Sequence, residues 1–369
     1  MSSIEQIVVR RLKMPLTTPY KVSRRVFNEF DPIVVEVRDR DGRVGWGETV
    51  ISKGYTNESP EGGWRFCTGM AEHLVGSTAA QAKAALAPHI DENSHACSIL
   101  MTALEMIDGN PLLEVREPVE VPLLVPINAM ELDAIGPEVE ESIAAGFRTL
   151  KVKVGFDVDA DLARVARIQE AVSGRATLRL DANQGFGRKD ACRFAAALDP
   201  AGIELFEQPC AKDDWDANAA VAKVSTVPVM LDESIYGVED IERAARIEGV
   251  GYVKVKLKKL GGLNRLEEAL GRIWQVGLKP VLGDGVSTDI SCWMEACVAR
   301  STIKNAGEMN GFLKLRARLF EDDLPFRGGS IRLLPTWRPI VNMPTLEQCT
   351  EAVERYTARP RVVFAAQQV

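Results

Sequence analysis

ATLRLD at 176–181, IELFE at 203–207, VPVMLD at 227–232 and YVKVK at 252–256 each close a short β-branched or apolar run on a charged residue, and Lys151-Val152-Lys153 precedes them in the same style. The intervals from Lys153 to Asp181, Glu207, Asp232 and Lys256 are 28, 26, 25 and 24 residues. A strand, a helix and two short loops consume about that much chain, so each charged residue falls at the same place in successive βα units. Closed into a (β/α)8 TIM-type barrel, those strand ends share one C-terminal mouth.

The flanking sequence extends the alternation. VPLLVPIN (121–128) and FRTLKVKVG (147–155) read as barrel strands 1 and 2, LKPVLGDG (278–285) as strand 7 and IKNAGEMN (303–310) as strand 8. An open dinucleotide-binding sheet fits less well, because its G-x-G-x-x-G fingerprint is missing. Ahead of the barrel, IEQIVVRRLKMPL and DPIVVEVRDRDGRVGWGE alternate like antiparallel strands, with Asp41-Gly42 as a turn. TTPYKVSRRVFNEF (17–30) and SKGYTNESPEGG (52–63) read as polar loops with embedded aromatics, and the chain from Trp64 to Gly109 reads as helical. The expected class is α/β: an N-terminal α+β capping domain (1–118), a catalytic barrel (119–334) and a segment (335–369) that returns to the cap through a helix LEQCTEAVERY and a strand RVVFAA.

Composition narrows the function. Hydrophobic residues make up 46% and charged residues 26% of 369, a soluble globular balance with a sizeable core. A formal charge of −7 without a long basic run gives no footprint for nucleic acid. No apolar stretch is long enough for a membrane span and the N-terminus does not read as a signal peptide, so a cytoplasmic enzyme is expected. The seven cysteines form no CxxC pair, which reads as reduced, mostly buried thiols. All three histidines (73, 89 and 95) precede the barrel, so proton transfer at its mouth falls to lysine, carboxylate or tyrosine.

Lys151 and Lys153 lie two apart on a strand and face the same interior. Side by side they should repel, lowering the pKa of at least one toward that of a usable base. Lys256, four strands on, belongs on the opposite wall, so a carbon acid held between could lose a proton to one lysine and regain it from the other. Asp181, Glu207 and Asp232 converge from adjacent strands, and three carboxylates that close call for a hard divalent cation, Mg²⁺ or Mn²⁺. A proton α to a carboxylate has a pKa near roughly 30, so the second negative charge formed on its removal must be neutralised. The plain alternative is that these acids and lysines only pair with one another.

KVKVG, DANQGF, FEQP, LDES and VKVKLKKLGG, with GWGE in the first domain, together resemble the enolase superfamily in its muconate-lactonizing-enzyme subgroup over nearly the whole chain. The resemblance implies metal ligands at Asp181, Glu207 and Asp232, acid/base lysines at Lys153 and Lys256, a carboxylate-orienting role for Lys151 and support of the metal site by Asn183. It implies a small-molecule carboxylate substrate and a homo-oligomer, and racemisation or epimerisation, with dehydration or cycloisomerisation as alternatives. A Schiff-base aldolase would also use a strand-6 lysine but leaves the three acids unexplained, and a non-catalytic binding protein leaves lysines on both walls unexplained. Three departures bear on the substrate. Strand 7 ends in GDGVST, with Ser287 where a glutamate is expected and Asp284 nearby; Glu308-Met309-Asn310 stands where dipeptide epimerases carry Asp-x-Asp; and Lys254 fills a usually small or neutral position. Glu308 and Asp284 are therefore expected to face a substrate ammonium, pointing to an amino-acid or cyclic imino-acid derivative. The two first-domain loops match those that close over the mouth in this family, with Tyr55 as a candidate substrate contact; Arg24 and Arg25 read as solvated loop charges.

Overall fold

Seven parallel strands run side by side in sequence order in the computed structural model: Val125–Ile127, Thr149–Lys153, Thr177–Asp181, Ile203–Glu207, Val229–Leu231, Val250–Val255 and Lys279–Leu282. The structure describes residues 2–22, 25–52 and 56–358. Helices follow the strands and cover the outer face, so strand residues such as Leu178, Leu180 and Phe206 are buried, as a parallel sheet requires.

Ring closure differs from the expected strand 8. Residues 303–310 form no strand; Leu123 and Gly307 make one parallel bridge instead. Gly307 N donates to Pro122 O (2.8 Å), Leu124 N to Gly307 O (3.0 Å) and Glu308 N to Leu282 O (2.9 Å), so two residues join the first and last strands. The approach is close: a Cβ on Gly283, whose φ is +127°, would lie 2.5 Å from Met309 N and 2.7 Å from the Glu308 carbonyl carbon. The expected strand 1 also divides, because its first part (Val119–Pro122) pairs antiparallel with Ser330–Leu333 and only Val125–Ile127 joins the barrel.

Within the barrel, inward positions are graded. Leu205, Met230, Tyr252 and Val281 form a small apolar cluster, and two residues further along their strands come Glu207, Asp232, Lys254 and Gly283. Strand alternation therefore stacks a charged layer on an apolar floor.

The first domain is a four-stranded antiparallel sheet, ordered Thr350–Thr357, Ile4–Leu12, Ile33–Asp39, Val44–Thr49, backed by helices Pro60–Leu74, Ala79–Leu86 and Ser94–Ile107. In GWGE, a Cβ on Gly47 would fall 1.9 Å from Ile99 O, so the motif's second glycine lets the Ser94–Ile107 helix lie directly on the sheet. The tail returns to this sheet by a different route from the one expected. The helix stops at Cys349, and Thr350–Thr357, expected as helix through Tyr356, pairs antiparallel with Ile4–Leu12, whose free edge offers ladder partners to the backbone groups that face it. RVVFAA lies outside the described residues. The expected loop 17–30 is mostly a β-hairpin, Met14–Val22 with Arg25–Phe30. Among the described residues, no helix is long and apolar enough to cross a membrane.

Candidate active site

Register and strand ends gather the charged residues at one end of the barrel. Lys153 pairs with Asp181 and Asp181 with Glu207 across consecutive strands, while Asp232 follows immediately on Val229–Leu231 and Lys256 on Val250–Val255. Asp181, Glu207 and Asp232 are at most 1% exposed, and Lys151, Lys254 and Lys256 at most 3%.

The lysines flank the acids as expected. Lys153 Nζ lies 2.5 Å from Asp181 Oδ2, and Lys256 Nζ 2.8 Å from Asp232 Oδ2. Asn183 ties the first wall together: its side-chain oxygen accepts from Lys153, its backbone N–H donates to Asp181 Oδ1 (2.9 Å) and its amide donates to Glu233 Oε1 (3.1 Å). Asn183, Gln184 and Gln208 have φ of +43°, +65° and +36°. Left-handed backbone at three non-glycine residues is strain concentrated at the ends of two strands, where it aims functional groups.

Of the two strand-2 lysines, Lys151 is not a depressed amine. Burial disfavours its charge, but Asp181 Oδ2 (2.9 Å), Glu207 Oε2 (3.0 Å) and Glu308 Oε2 (2.8 Å) outweigh that and hold it well above the ordinary lysine range. Three counter-charges at contact distance exceed the repulsion of one neighbouring ammonium. Lys254 and Lys256 are likewise raised against the effect of burial, by Glu207 and Glu308 and by Asp232 respectively. Asp181 is desolvated, yet its lysines bring it down to about 2.

Glu308 and Asp284 also differ from expectation. Glu308 accepts from Lys151 Nζ at 2.8 and 2.9 Å and from Lys254, and Asp284 is ion-paired with Lys258. Both acids are buried with lysine counter-ions, so neither stands ready to capture a substrate ammonium. Ser287 is structural here: its hydroxyl donates to Asp284 O (3.1 Å). Tyr55, Arg24 and the side chain of Arg25 lie outside what the structure describes.

Other residues support the site without having been singled out. Lys259 donates to Asp232 O (2.6 Å) and Oδ1 (2.7 Å), and burial lowers its pKa to about 8. Gln208 accepts from Asp232 N (3.0 Å) and Ser234 N (3.2 Å), fixing the turn after strand 5. Both stand within quoted motifs. Tyr20, on the hairpin, reaches the strand-7 side of the mouth, where Lys314 Nζ lies 4.7 Å from its ring. Glu295, deep in helix Asp289–Thr302, accepts from Leu257 N (2.9 Å) and Asp284 N (3.1 Å), joining the ends of strands 6 and 7. A single acid in an amphipathic run gives no such signal.

Burial raises Glu295 to about 8, with Asp284 adding to the effect. A carboxyl whose folded pKa is raised contributes stability below its unfolded pKa and loses it as pH climbs through the folded value. The melting-temperature advantage of wild type over Glu295→Gln should therefore shrink from pH 5 to pH 8.5. Thermal unfolding across that range checks this, and an advantage that grows with pH refutes it.

The carboxylates at 181, 207 and 232 are hard oxygen donors on three neighbouring strands, a donor chemistry suited to Mg²⁺. Among the described residues, no three acid, cysteine or histidine side chains already stand as a metal cage. Lysine ammonium groups bridge these acids instead.

Residues 134–339 match the family described as Enolase C-terminal domain-like. The chain is 28% identical to the L-Ala-D/L-Glu epimerase of Bacillus subtilis, over 89% of this chain and 94% of that protein. It is 32% identical to the L-Lys-D/L-Arg epimerase of Methylococcus capsulatus, over 70% of this chain and 76% of that protein. The crystal structure of a dipeptide epimerase from Methylococcus capsulatus, complexed with Mg and dipeptide L-Arg-D-Lys, superposes with a TM-score of 0.78 at 27% identity, covering 92% of this chain and 98% of that one.

Proposed function

The chain belongs to the Enolase C-terminal domain-like family, and from that premise we propose that it is an epimerase or racemase that moves the α-proton of an amino-acid derivative carrying a free carboxylate. The observation that carries this reading is the placement of Lys153 against Asp181 and of Lys256 against Asp232 on opposite sides of a buried carboxylate cluster. A divalent cation at Asp181, Glu207 and Asp232, Mg²⁺ or Mn²⁺, would supply positive charge beside the substrate carboxylate. Lys153 and Lys256 then act on the two faces of the α-carbon, one in its amine form taking the proton and the other as ammonium returning one. Lys151, beside both Asp181 and Glu207, orients the carboxylate. Asn183 holds Lys153 in line. The similar proteins include enzymes named as epimerases, which supports an epimerisation outcome.

The substrate class follows from charge. Glu308 and Asp284 are committed to lysines, so an α-ammonium would enter without a counter-ion and lose its hydration, whereas a neutral amide nitrogen loses much less. We therefore place an N-acylated amino acid, dipeptides included, ahead of a free amino or imino acid. Deuterium exchange in D₂O, followed by ¹H NMR over dipeptides, N-acyl amino acids, free amino acids, hydroxyprolines and sugar acids, should show α-proton loss in the first two classes. Exchange confined to free amines or sugar acids would remove this assignment. Tyr55 remains our proposed loop contact to that substrate. A cytoplasmic homo-oligomer is the assembly we propose, to be checked by light scattering.

A further inference from the structure

Lys254 is the departure that the proposed reaction does not use. It lies two residues before Lys256 on Val250–Val255, faces the same interior, and is 2% exposed. Its Nζ is 3.1 Å from Glu207 Oε1 and 3.7 Å from Asp232 Oδ2, and it also bonds Glu308. Lys151 mirrors it, touching Asp181, the other oxygen of Glu207, and Glu308. The two ammonium groups thus run between the three carboxylates assigned to the cation, with one on each oxygen of Glu207 and both bonded to Glu308.

Lys151 and Lys153 already contact the Asp181–Glu207 side, and Lys256 and Lys259 already contact Asp232. Lys254 is therefore an additional positive charge aimed at Glu207 and Asp232, buried where solvent screens little. A divalent ion approaching those oxygens meets that charge, and Lys254 must withdraw toward Glu308 to admit it. Glu308 is placed to receive it, being already bonded to it.

We propose that Lys254 is an internal competitor for the divalent cation, with Glu308 as its alternative anchor, so that the pair sets the cation affinity of the site and keeps the carboxylates neutralised when no cation is bound. Lys254 is in this account a positioning residue that acts through Glu207 and Asp232. The inference rests on the cation role given to Asp181, Glu207 and Asp232 under the proposed function.

The experiment is isothermal titration of Mg²⁺ into metal-stripped wild type, K254M, K254R and E308Q, with melting temperatures measured with and without Mg²⁺. Removing a buried unit charge that sits against two of the carboxylates assigned to the cation should tighten binding by at least roughly tenfold. K254M should show that gain and a larger Mg²⁺-dependent rise in melting temperature, and K254R should bind as wild type does. E308Q, which removes the anchor, should bind more weakly. K254Q carries the same expectation as K254M and replaces it should K254M not fold without Mg²⁺. Mg²⁺ binding by wild type that both K254M and K254Q leave unchanged or weaken overturns the inference and leaves the proposed function standing. Failure of wild type and of both folded variants to bind Mg²⁺ overturns the cation assignment and the inference with it.

Discussion

Lys256→Ala and Lys153→Ala should each lower turnover by at least roughly 10³-fold, since each deletes a proton-transfer group from a preorganised site. The structure separates this loss from unfolding. With Lys256 gone, Asp232 keeps Lys259 at 2.7 Å; with Lys153 gone, Asp181 keeps Lys151 at 2.9 Å. Neither truncation strands a buried carboxylate, which is the expensive way to break an ion-pair network. Both variants should therefore remain folded by circular dichroism while failing in the steady-state assay. Turnover within a few-fold of wild type in either would mean that the lysine is only a counter-ion, the plain alternative open from the sequence.

Chelation should have a comparably large effect. Treatment with EDTA should bring activity to background, and Mg²⁺ should restore it, because Asp181, Glu207 and Asp232 lie fully buried beside the lysines, where a cation can offset the charge that develops on the substrate. Borohydride added with a carbonyl substrate should leave no adduct on Lys256. Activity that survives chelation together with a trapped Lys256 adduct would move the protein to Schiff-base chemistry.

How far the sequence was legible follows from the physics of each part. Strands that end in a buried charge are readable because period-two alternation and a repeated interval both mark them, and six of the eight expected barrel strands, from Thr149–Lys153 through Lys279–Leu282, form where expected. The barrel's seam is not readable in that way. Ala306 and Gly307 carry little or no side chain with which to announce a strand, and closure there rests on backbone hydrogen bonds together with side-chain donors from Arg179, Asn305 and Asn310 to backbone carbonyls. The 350–357 segment misleads for a different reason. Its local composition suits a helix, and only the free edge of a strand more than 300 residues earlier draws it into a sheet. At the site, residue positions were legible but their partners were not. Glu308 looks like an acid facing a substrate until Lys151 and Lys254, from strands far away in sequence, prove to be its counter-ions. The repulsion between Lys151 and its neighbouring lysine was legible, but not the three carboxylates around Lys151 that outweigh it.

Two lysines on opposite faces of one α-carbon make a stereochemical demand, and a single-diastereomer substrate in D₂O measures it most directly. Wild type should yield an inverted product that carries solvent deuterium at the α-position, and one of Lys153→Ala or Lys256→Ala should wash deuterium into that position with retained configuration. An inverted product that keeps the substrate's own α-hydrogen, or inversion at the wild-type rate by both variants, would contradict the two-lysine mechanism.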